Sequence, residues 1–196
     1  MKKLLLIVIA VIMAISASAQ ERKVYLGFGG IQMIGDISMP VPVLFTGFTQ
    51  YKRGDYTYTG LGIVPEIGYF ISNRFAVGLG LGVSYKTYKY EGEEDYKRTS
   101  WGVNPYVRYY AVKTERFGLY LQGGGCFVSS KYDGDDKADE MFYAGIRPGV
   151  SYNISDRFAI NASFGDLGYY DYGDSSSAIN LSLQPSTLLF GLTVAF

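Results

Sequence analysis

The sequence predicts an all-β protein folded as an eight-stranded antiparallel up-and-down transmembrane β-barrel. The first observation is a repeat: Pro65, Pro105 and Pro148 are each followed by a Tyr four residues later, a short polar turn and an Arg-Phe pair that opens a new apolar run. The second is that large and very small residues alternate within these runs, as in a strand whose two faces differ. The third is that no stretch after residue 19 has the roughly 18 apolar residues that a transmembrane helix needs.

The run that starts at Phe75 shows the alternation most clearly. One face carries the large side chains Phe75, Val77, Leu79, Leu81, Val83 and Tyr85. The other face carries Ala76, Gly78, Gly80, Gly82, Ser84 and Lys86. A closed sheet with large groups toward lipid and small or polar groups in a narrow lumen explains both faces. The alternative is a soluble barrel whose apolar face points inward, but a glycine-rich face suits a lumen better than a water-facing surface.

The same pattern, taken in chain order, predicts eight strands of at least about nine residues, the length needed to cross a bilayer at the usual tilt. They are about Lys23–Ile31, Thr59–Ile71, Phe75–Tyr88, Thr99–Val112, Phe117–Ser130, Met141–Tyr152, Phe158–Tyr169 and Ser186–Phe196. The prolines and glycines of Gln32–Tyr58 predict an irregular loop with room for a short strand extension. Each Pro deletes a ladder donor, so a local bulge or widened rung is expected at these positions.

Short turns alternate with long polar loops between these strands. The short turns are Ser72–Arg74, Lys113–Glu115 and Asn153–Asp156. All of them therefore lie at one end of the sheet and all long loops at the other, an asymmetry typical of bacterial outer-membrane barrels with periplasmic turns. Both chain ends are expected on the periplasmic side.

The first 19 residues have the features of an export signal. Lys2 and Lys3 precede the apolar run Leu4–Ile15, and Ala17–Ala19 supplies small residues for cleavage. This run is too short to span a bilayer. The sequence therefore predicts a cleaved signal peptide at residues 1–19 and an outer-membrane barrel domain at residues 20–196.

Composition argues against several functions. Lys and Arg together number 18, as do Asp and Glu, so no basic surface for nucleic acid is expected. The only cysteine is Cys126, which excludes an internal disulfide, and it is interpreted as a small lumen filler. Histidine is absent, which removes the commonest general base and metal ligand. We therefore predict no catalytic residue, no cofactor, no metal and no enzymatic activity.

Two acidic tips raise the question of calcium, since hard cations favour several carboxylates. They are Glu91–Asp95 and Asp133–Asp139. Neither has the full spacing of a calcium loop, so solvated loops are the preferred interpretation.

Aromatic residues are expected to form a girdle where the barrel meets the membrane interfaces. The predicted members are Tyr69, Phe75, Tyr109, Phe117, Tyr152 and Phe158 beside the short turns and Trp101 near the long loops. Tyr85, Phe127, Phe142 and Tyr169 also fall near the long loops.

A polar cluster is predicted inside the lumen. Counting strand parity from the turns places on the lumen face Glu66, Arg108, Arg147, Asn104 and Gln122, with Tyr106, Tyr110 and Tyr143 nearby. A carboxylate among arginines forms charge-assisted hydrogen bonds that plug the lumen. The alternative is a selectivity constriction or proton path, but an eight-stranded lumen is generally filled by its own side chains.

The final strand alternates Leu188, Phe190, Leu192, Val194 and Phe196 and ends on an aromatic residue. In this respect, and in its eight-strand pattern over Lys23–Phe196, the chain resembles the small outer-membrane β-barrel family that includes OmpX, the OmpA membrane domain and OmpW. The resemblance implies an outer-membrane location, contact with outer-membrane lipid, and Phe196 as a signal read by the insertion machinery.

The leading functional hypothesis is a monomeric, non-enzymatic surface protein with a plugged lumen, whose long loops contact an extracellular partner. A second hypothesis is a narrow channel similar to OmpW that passes small apolar solutes sideways into the bilayer. A third is a soluble secreted ligand-binding barrel.

Overall fold

The computed structural model describes residues 24–31, 46–90, 92, 94–173, 176–183 and 188–196. The strands in these residues are β1 Val24–Ile31, β2 Gly47–Arg53, β3 Tyr56–Ile63, β4 Pro65–Phe70, β5 Phe75–Tyr90, β6 Tyr96–Lys113, β7 Phe117–Tyr132, β8 Asp139–Asn153, β9 Phe158–Ser163, β10 Asp166–Asp171, β11 Ser177–Ser182 and β12 Leu189–Ala195. Within these ranges, no helix is both long and apolar enough to cross a membrane. The predicted signal peptide lies outside the described residues.

The 12 segments build a closed antiparallel barrel of eight strands. Strand one consists of β1 and β2, strand two of β3 and β4, strand seven of β9 and β10, and strand eight of β11 and β12. The long segments β5 to β8 are strands three to six. β1 closes the barrel by pairing with β4 on one side and β12 on the other. The predicted fold class is therefore confirmed.

Side chains alternate between the outside and the inside of this barrel, as the period of a strand requires. Leu81 on the outer face is 53% exposed, whereas Arg108 on the inner face is only 5% exposed. Ala76, between two outward-facing neighbours, is completely buried. The apolar groups thus cover the outside, and the small and polar groups line the inside.

Outward-facing aromatic side chains form two rows. The inner row, beside the short turns, consists of Tyr69, Phe75, Tyr109, Phe117, Tyr152 and Phe158. The outer row consists of Tyr85, Trp101, Phe127, Phe142 and Tyr169. We call the barrel between the two rows the membrane section, and the part beyond the outer row the outer section.

The prediction that Gln32–Tyr58 is an irregular loop is wrong over its second part. β2 and the start of β3 form a hairpin whose turn contains Gly54 at a φ of +56°. The apolar pattern does not reveal this hairpin because it lies mostly in the outer section, where neither face has to be apolar. For the same reason β5 to β8 extend further than predicted, to Tyr90, from Tyr96, to Tyr132 and from Asp139. Residues 32–45 lie outside the described residues.

Strand eight also begins earlier than predicted. Its expected start was Ser186, but β11 at Ser177–Ser182 already pairs with β10 over its whole length. Residues 184–187 lie outside the described residues. β11 does alternate Ile179 and Leu181 with Asn180 and Ser182, a short pattern that falls within the loop predicted between strands seven and eight.

The repeated prolines lie at interruptions of the ladder. Pro65 follows the joint between β3 and β4, and the pairing of β6 with β7 skips Pro105. Pro148 lies opposite the break between β9 and β10, where the Phe164 N–H donates to its carbonyl at 3.1 Å. At such positions the missing N–H of proline interrupts no regular rung.

Thr46 holds the two parts of strand one against strand two. Its hydroxyl donates to the Gly29 carbonyl at 2.7 Å and accepts from the Val64 N–H at 2.9 Å. These two hydrogen bonds connect the residue before β2 to β1 and to the residue between β3 and β4.

Candidate functional site: the barrel interior

Three tyrosines of the interior each pack on a glycine of the neighbouring strand. Tyr25 lies directly opposite Gly68, Tyr106 opposite Gly78, and Tyr120 opposite Gly149. A methyl group built on any of these glycines would overlap the opposing ring. The glycine-rich face is therefore not a void, since each missing side chain makes room for a ring, as in aromatic rescue of sheet glycines.

Arg108 is held at the centre of these rings. Its Nε and Nη2 atoms donate to Oε1 of Gln122 at 3.1 and 2.7 Å. Its Cζ atom lies 4.4 Å from the ring centroid of Tyr120 and 5.3 Å from that of Tyr106. Cation–π contacts of this kind are strongest where water is excluded, so the guanidinium has favourable partners although it is buried.

Glu66 joins the same group through Tyr106. The Tyr106 hydroxyl donates to Oε2 of Glu66 at 3.3 Å and lies 3.0 Å from the Tyr25 hydroxyl. The Glu66 carboxylate occupies the space in which a side chain on Gly29 would lie. We call these side chains the Arg108 cluster, which consists of Tyr25, Glu66, Tyr106, Arg108, Tyr120 and Gln122.

A second polar group, the Asp166 cluster, consists of Tyr143, Arg147, Asp166 and Tyr170. The carboxylate of Asp166 accepts from the hydroxyls of Tyr143 and Tyr170 and from Nη2 of Arg147 at 3.4 Å. Asp166 is only 3% exposed. Several donors compensate this buried negative charge, as its removal from water requires.

The structure thus divides the predicted lumen cluster in two. Arg108, Gln122 and Arg147 do lie on one rung of the sheet, but Arg147 bonds to Asp166 and to the Gly165 carbonyl. The single cluster expected around Glu66 is therefore incorrect for Arg147. Asn104 lies opposite Gly80, and Gly80 lies opposite Glu66, so that β5 separates Asn104 from Glu66.

Asp166 is the residue that sequence reasoning missed. Strand alternation counted from Phe158, which faces lipid, places Asp166 on the lipid face as well. Gly165, with a φ of +69°, forms a bulge with Phe164 between β9 and β10. The extra residue reverses the parity, so that Asp166 points inward and Leu167 outward. The glycine directly before this acidic residue was the only signal in the sequence that the strand is irregular at this point.

The predicted girdle residues all lie on the outer face of the barrel. Phe75 and Tyr109 pack with their ring centroids 4.9 Å apart in the inner row. Trp101 and Phe127 pack edge to face at 5.9 Å in the outer row. The N–H of Phe196 donates to the Val24 carbonyl at 2.9 Å, so the last residue adjoins the first strand.

Metal ligands are not grouped in the part of the chain that the structure describes, where no set of three or more Cys, Asp or Glu side chains could hold an ion. Cys126 is half-buried in β7, where its thiol lies 3.9 Å from the Phe127 carbonyl. The tip from Asp133 to Asp139 is exposed.

An outward apolar face with two aromatic rows, closed by eight antiparallel strands around a polar interior, defines a transmembrane β-barrel of the outer-membrane class. The chain belongs to the outer membrane protein beta-barrel domain family, whose model matches residues 4–196. Its location is the bacterial outer membrane.

Solved barrels with a similar fold include the N-terminal β-barrel domain of OprF from Pseudomonas aeruginosa, with 15% identity, 89% of this chain and 98% of that chain covered and a TM-score of 0.42. Neisserial surface protein A is 15% identical, with 89% and 95% covered and a TM-score of 0.41. The Yersinia pestis protein Ail is 14% identical, with 89% and 99% covered and a TM-score of 0.39. A search of curated proteins finds no match.

Proposed function

We propose that this protein is a non-enzymatic outer-membrane surface barrel that does not conduct solutes through its axis and that acts through its outer section. The observation that carries the proposal is the filled interior. The rings of Tyr106, Tyr110 and Tyr120 and the guanidinium of Arg108 are all buried on β6 and β7, and the Tyr106 hydroxyl lies 3.0 Å from that of Tyr25 on β1, three barrel strands away. An eight-stranded barrel leaves little space beyond such side chains.

The plug combines packing with charge. Removing water from Arg108 and Glu66 is unfavourable unless each has partners, and here Gln122, Tyr106 and two aromatic faces supply them. The resulting network joins side chains of strands one, two, four and five. A displaced ring or charge would leave other buried groups without partners, which favours a single closed state.

The proposal is tested by conductance across a planar bilayer. The protein is expected to show no steady conductance, whereas the double variant Tyr106→Ala, Arg108→Ala is expected to conduct because it removes two groups from the middle of the lumen. Tyr152→Ala, which removes a ring from the outer face, serves as the control and stays closed. Steady conductance by the unaltered protein would contradict the plug.

Its surface role follows from the outer section. β2, β3, β5, β6 and β7 rise beyond the outer row and carry exposed polar and aromatic residues, among them Lys52, Arg53, Tyr90 and Tyr96. We propose that a monomer presents this sheet to an extracellular partner. A variant in which β2 and β3 are shortened together should keep its heat-modifiable gel migration, which shows that the barrel still folds. The same variant should no longer bind to the surface of partner cells.

A second candidate function is a lateral conduit for small apolar solutes. It is favoured by the wall of the barrel near the outer row, where, among the described strands, β2 pairs only with β3 and β11 only with β10. Ile179 and Leu181 on β11 are highly exposed. An interruption of the sheet between the edges of β2 and β11 would connect the interior of the outer section with the surrounding lipid.

Uptake of the apolar dye N-phenyl-1-naphthylamine by cells distinguishes the two functions. A conduit predicts faster uptake in cells that produce the protein, and slower uptake when Ile179 and Leu181 are both replaced by Lys. Equal uptake with and without the protein would leave the surface role as the function.

A further inference from the structure

A second group of inward-facing side chains lies in the outer section, above the plug and separate from it. We call it the vestibule cluster, and it consists of Tyr58, Lys86, Tyr88, Arg98 and Tyr132. Lys86 lies directly opposite Arg98 on the neighbouring strand. The rings of Tyr58 and Tyr88 pack at 5.3 Å, and Cζ of Arg98 lies 5.1 Å from the Tyr132 ring.

Two polar atoms of this cluster are buried without a hydrogen-bond partner among the described residues, the hydroxyl of Tyr58 and Nε of Arg98. Tyr58 is only 8% exposed. A buried donor that is left unpaired destabilises a protein, and for this reason such atoms in folded proteins call for an explanation. Both groups are donors, on β3 and β6 with β5 between them, so each is completed by an acceptor that approaches from the lumen.

Arg98 differs from Arg108 in this respect. Nε and Nη2 of Arg108 are both bonded to Gln122, as expected for an arginine with a structural role. Among the described residues, Arg98 pairs with the carboxylate of Asp139, which lies 3.9 Å from Nη2 and is 70% exposed. An exposed pair at this distance contributes little, so most of the donor capacity of Arg98 is directed elsewhere.

Arginine forms charge-assisted bonds with carboxylate and phosphate oxygens, and a phenol adds a neutral donor. Beneath the cluster the Ser130 hydroxyl donates to that of Ser100 on the neighbouring strand at 2.8 Å, so these two hydroxyls are already paired with each other.

We propose that the vestibule cluster binds a small phosphate- or carboxylate-bearing anion, with Arg98 Nε and the Tyr58 hydroxyl as donors and Lys86 as an additional positive charge. The anion enters from the outer end of the barrel and stops above the plug. This inference does not depend on whether the membrane section conducts.

The test is titration of inorganic phosphate into the folded protein in phosphate-free detergent, followed by isothermal calorimetry. Saturable binding is expected. Arg98→Gln should weaken it by about tenfold or more and Tyr58→Phe by about threefold to tenfold, because each removes a donor to a charged acceptor. The control is Lys131→Gln, which removes a positive charge from the outer face one residue from Tyr132 and should leave binding unchanged.

The proposal is overturned if the unaltered protein shows no saturable binding, or if Lys131→Gln weakens binding as much as Arg98→Gln. Gel migration of each variant establishes folding, and Tyr58→Phe, which deletes a single oxygen, decides the matter if Arg98→Gln does not fold. Repeating the titration in nanodiscs distinguishes the source of the anion. Loss of phosphate binding only in anionic lipid indicates a lipid headgroup in the site, and unchanged binding indicates a soluble anion.

Discussion

The membrane section and the outer section of this barrel are built from the same strands but are held together differently. In the membrane section the buried guanidinium of Arg108 has partners in Gln122 and two rings. In the outer section Arg98 and Tyr58 have buried donors without partners among the described residues. β1 and β12 each pair on both sides, whereas among the described strands β2 and β11 each pair with one neighbour near the outer row.

This contrast shows where a small barrel has freedom for function. Lipid cannot hydrogen-bond to the backbone or solvate a charge, so every polar group in the membrane section must be satisfied by the protein itself. Water can do so beyond the outer row. Incomplete pairing and unpartnered donors are therefore tolerated in the outer section, and the surface role and the anion site are both proposed there.

The largest effect is expected from Asp166, the buried one of two aspartates that pair with arginine. Asp166→Ala should lower the free energy of unfolding by about 3 kcal/mol or more, because it leaves Arg147, whose side chain is only 26% exposed, without its carboxylate partner and removes the acceptor of two tyrosine hydroxyls. Asp139→Ala, which removes an exposed carboxylate 3.9 Å from Arg98, should cost less than about 1 kcal/mol. Urea unfolding in lipid vesicles, monitored through the single tryptophan Trp101, measures both. Equal losses would mean that burial does not separate the two regions.

The next effect concerns a charge placed on the lipid face. Leu81→Arg, halfway between the two aromatic rows, should cost about 2–4 kcal/mol, whereas Phe48→Arg, level with Tyr85 on the same rung, should cost about 0–1 kcal/mol. The same unfolding assay applies. If Leu81→Arg were neutral, the outer face between the rows would not face lipid.

A smaller effect is expected when a side chain is added to a glycine that packs against a tyrosine ring. Gly78→Ala would place a methyl group on the Tyr106 ring, and such overpacking costs about 1–3 kcal/mol. The matched control is Gly123→Ala on the outer face, where a methyl group meets nothing within 4 Å, and its effect should stay within about 0.5 kcal/mol. A similar loss of stability in both variants would indicate a general effect of replacing glycine in strands, not a clash with the Tyr106 ring.

The smallest effect is expected at the edge of the sheet near the outer row, where Ile179 lies opposite Tyr169. Ile179→Ser should change the free energy of unfolding by less than about 0.5 kcal/mol, because Ile179 is 80% exposed. Amide hydrogen exchange should also be faster in β11 than in β12, which pairs on both sides. Equal protection of the two segments would show that the outer edge is paired after all.

Much of the membrane section could be predicted from the sequence. The alternation from Phe75 to Tyr85 and the three short turns were sufficient for the number of strands, their direction and the face that meets lipid. The apolar pattern was less informative beyond the outer row. There the hairpin of β2 and β3 was interpreted as a loop, because a strand that meets water on both faces has no apolar face to recognise.

The interior required the tertiary structure. Parity correctly assigned Glu66, Arg108 and Gln122 to the lumen, but it could not give their partners, which depend on the stagger between neighbouring strands. Asp166 was assigned to the wrong face because one bulge at Gly165 reverses the parity that follows it. This bulge combines the positive φ of Gly165 with a hydrogen bond from Phe164 to the Pro148 carbonyl on the neighbouring strand, and the apolar pattern records neither.

By itself, the sequence determined that this chain alternates large apolar and small residues. Such strands must form a closed sheet in a membrane, since an open edge in lipid leaves backbone groups without hydrogen-bond partners. Only the folded barrel decided which tyrosine lies on which glycine, which acid balances Arg147, and where the regular ladder is interrupted by a bulge. Those contacts join residues far apart in the chain, and their geometry depends on strand stagger and bulges.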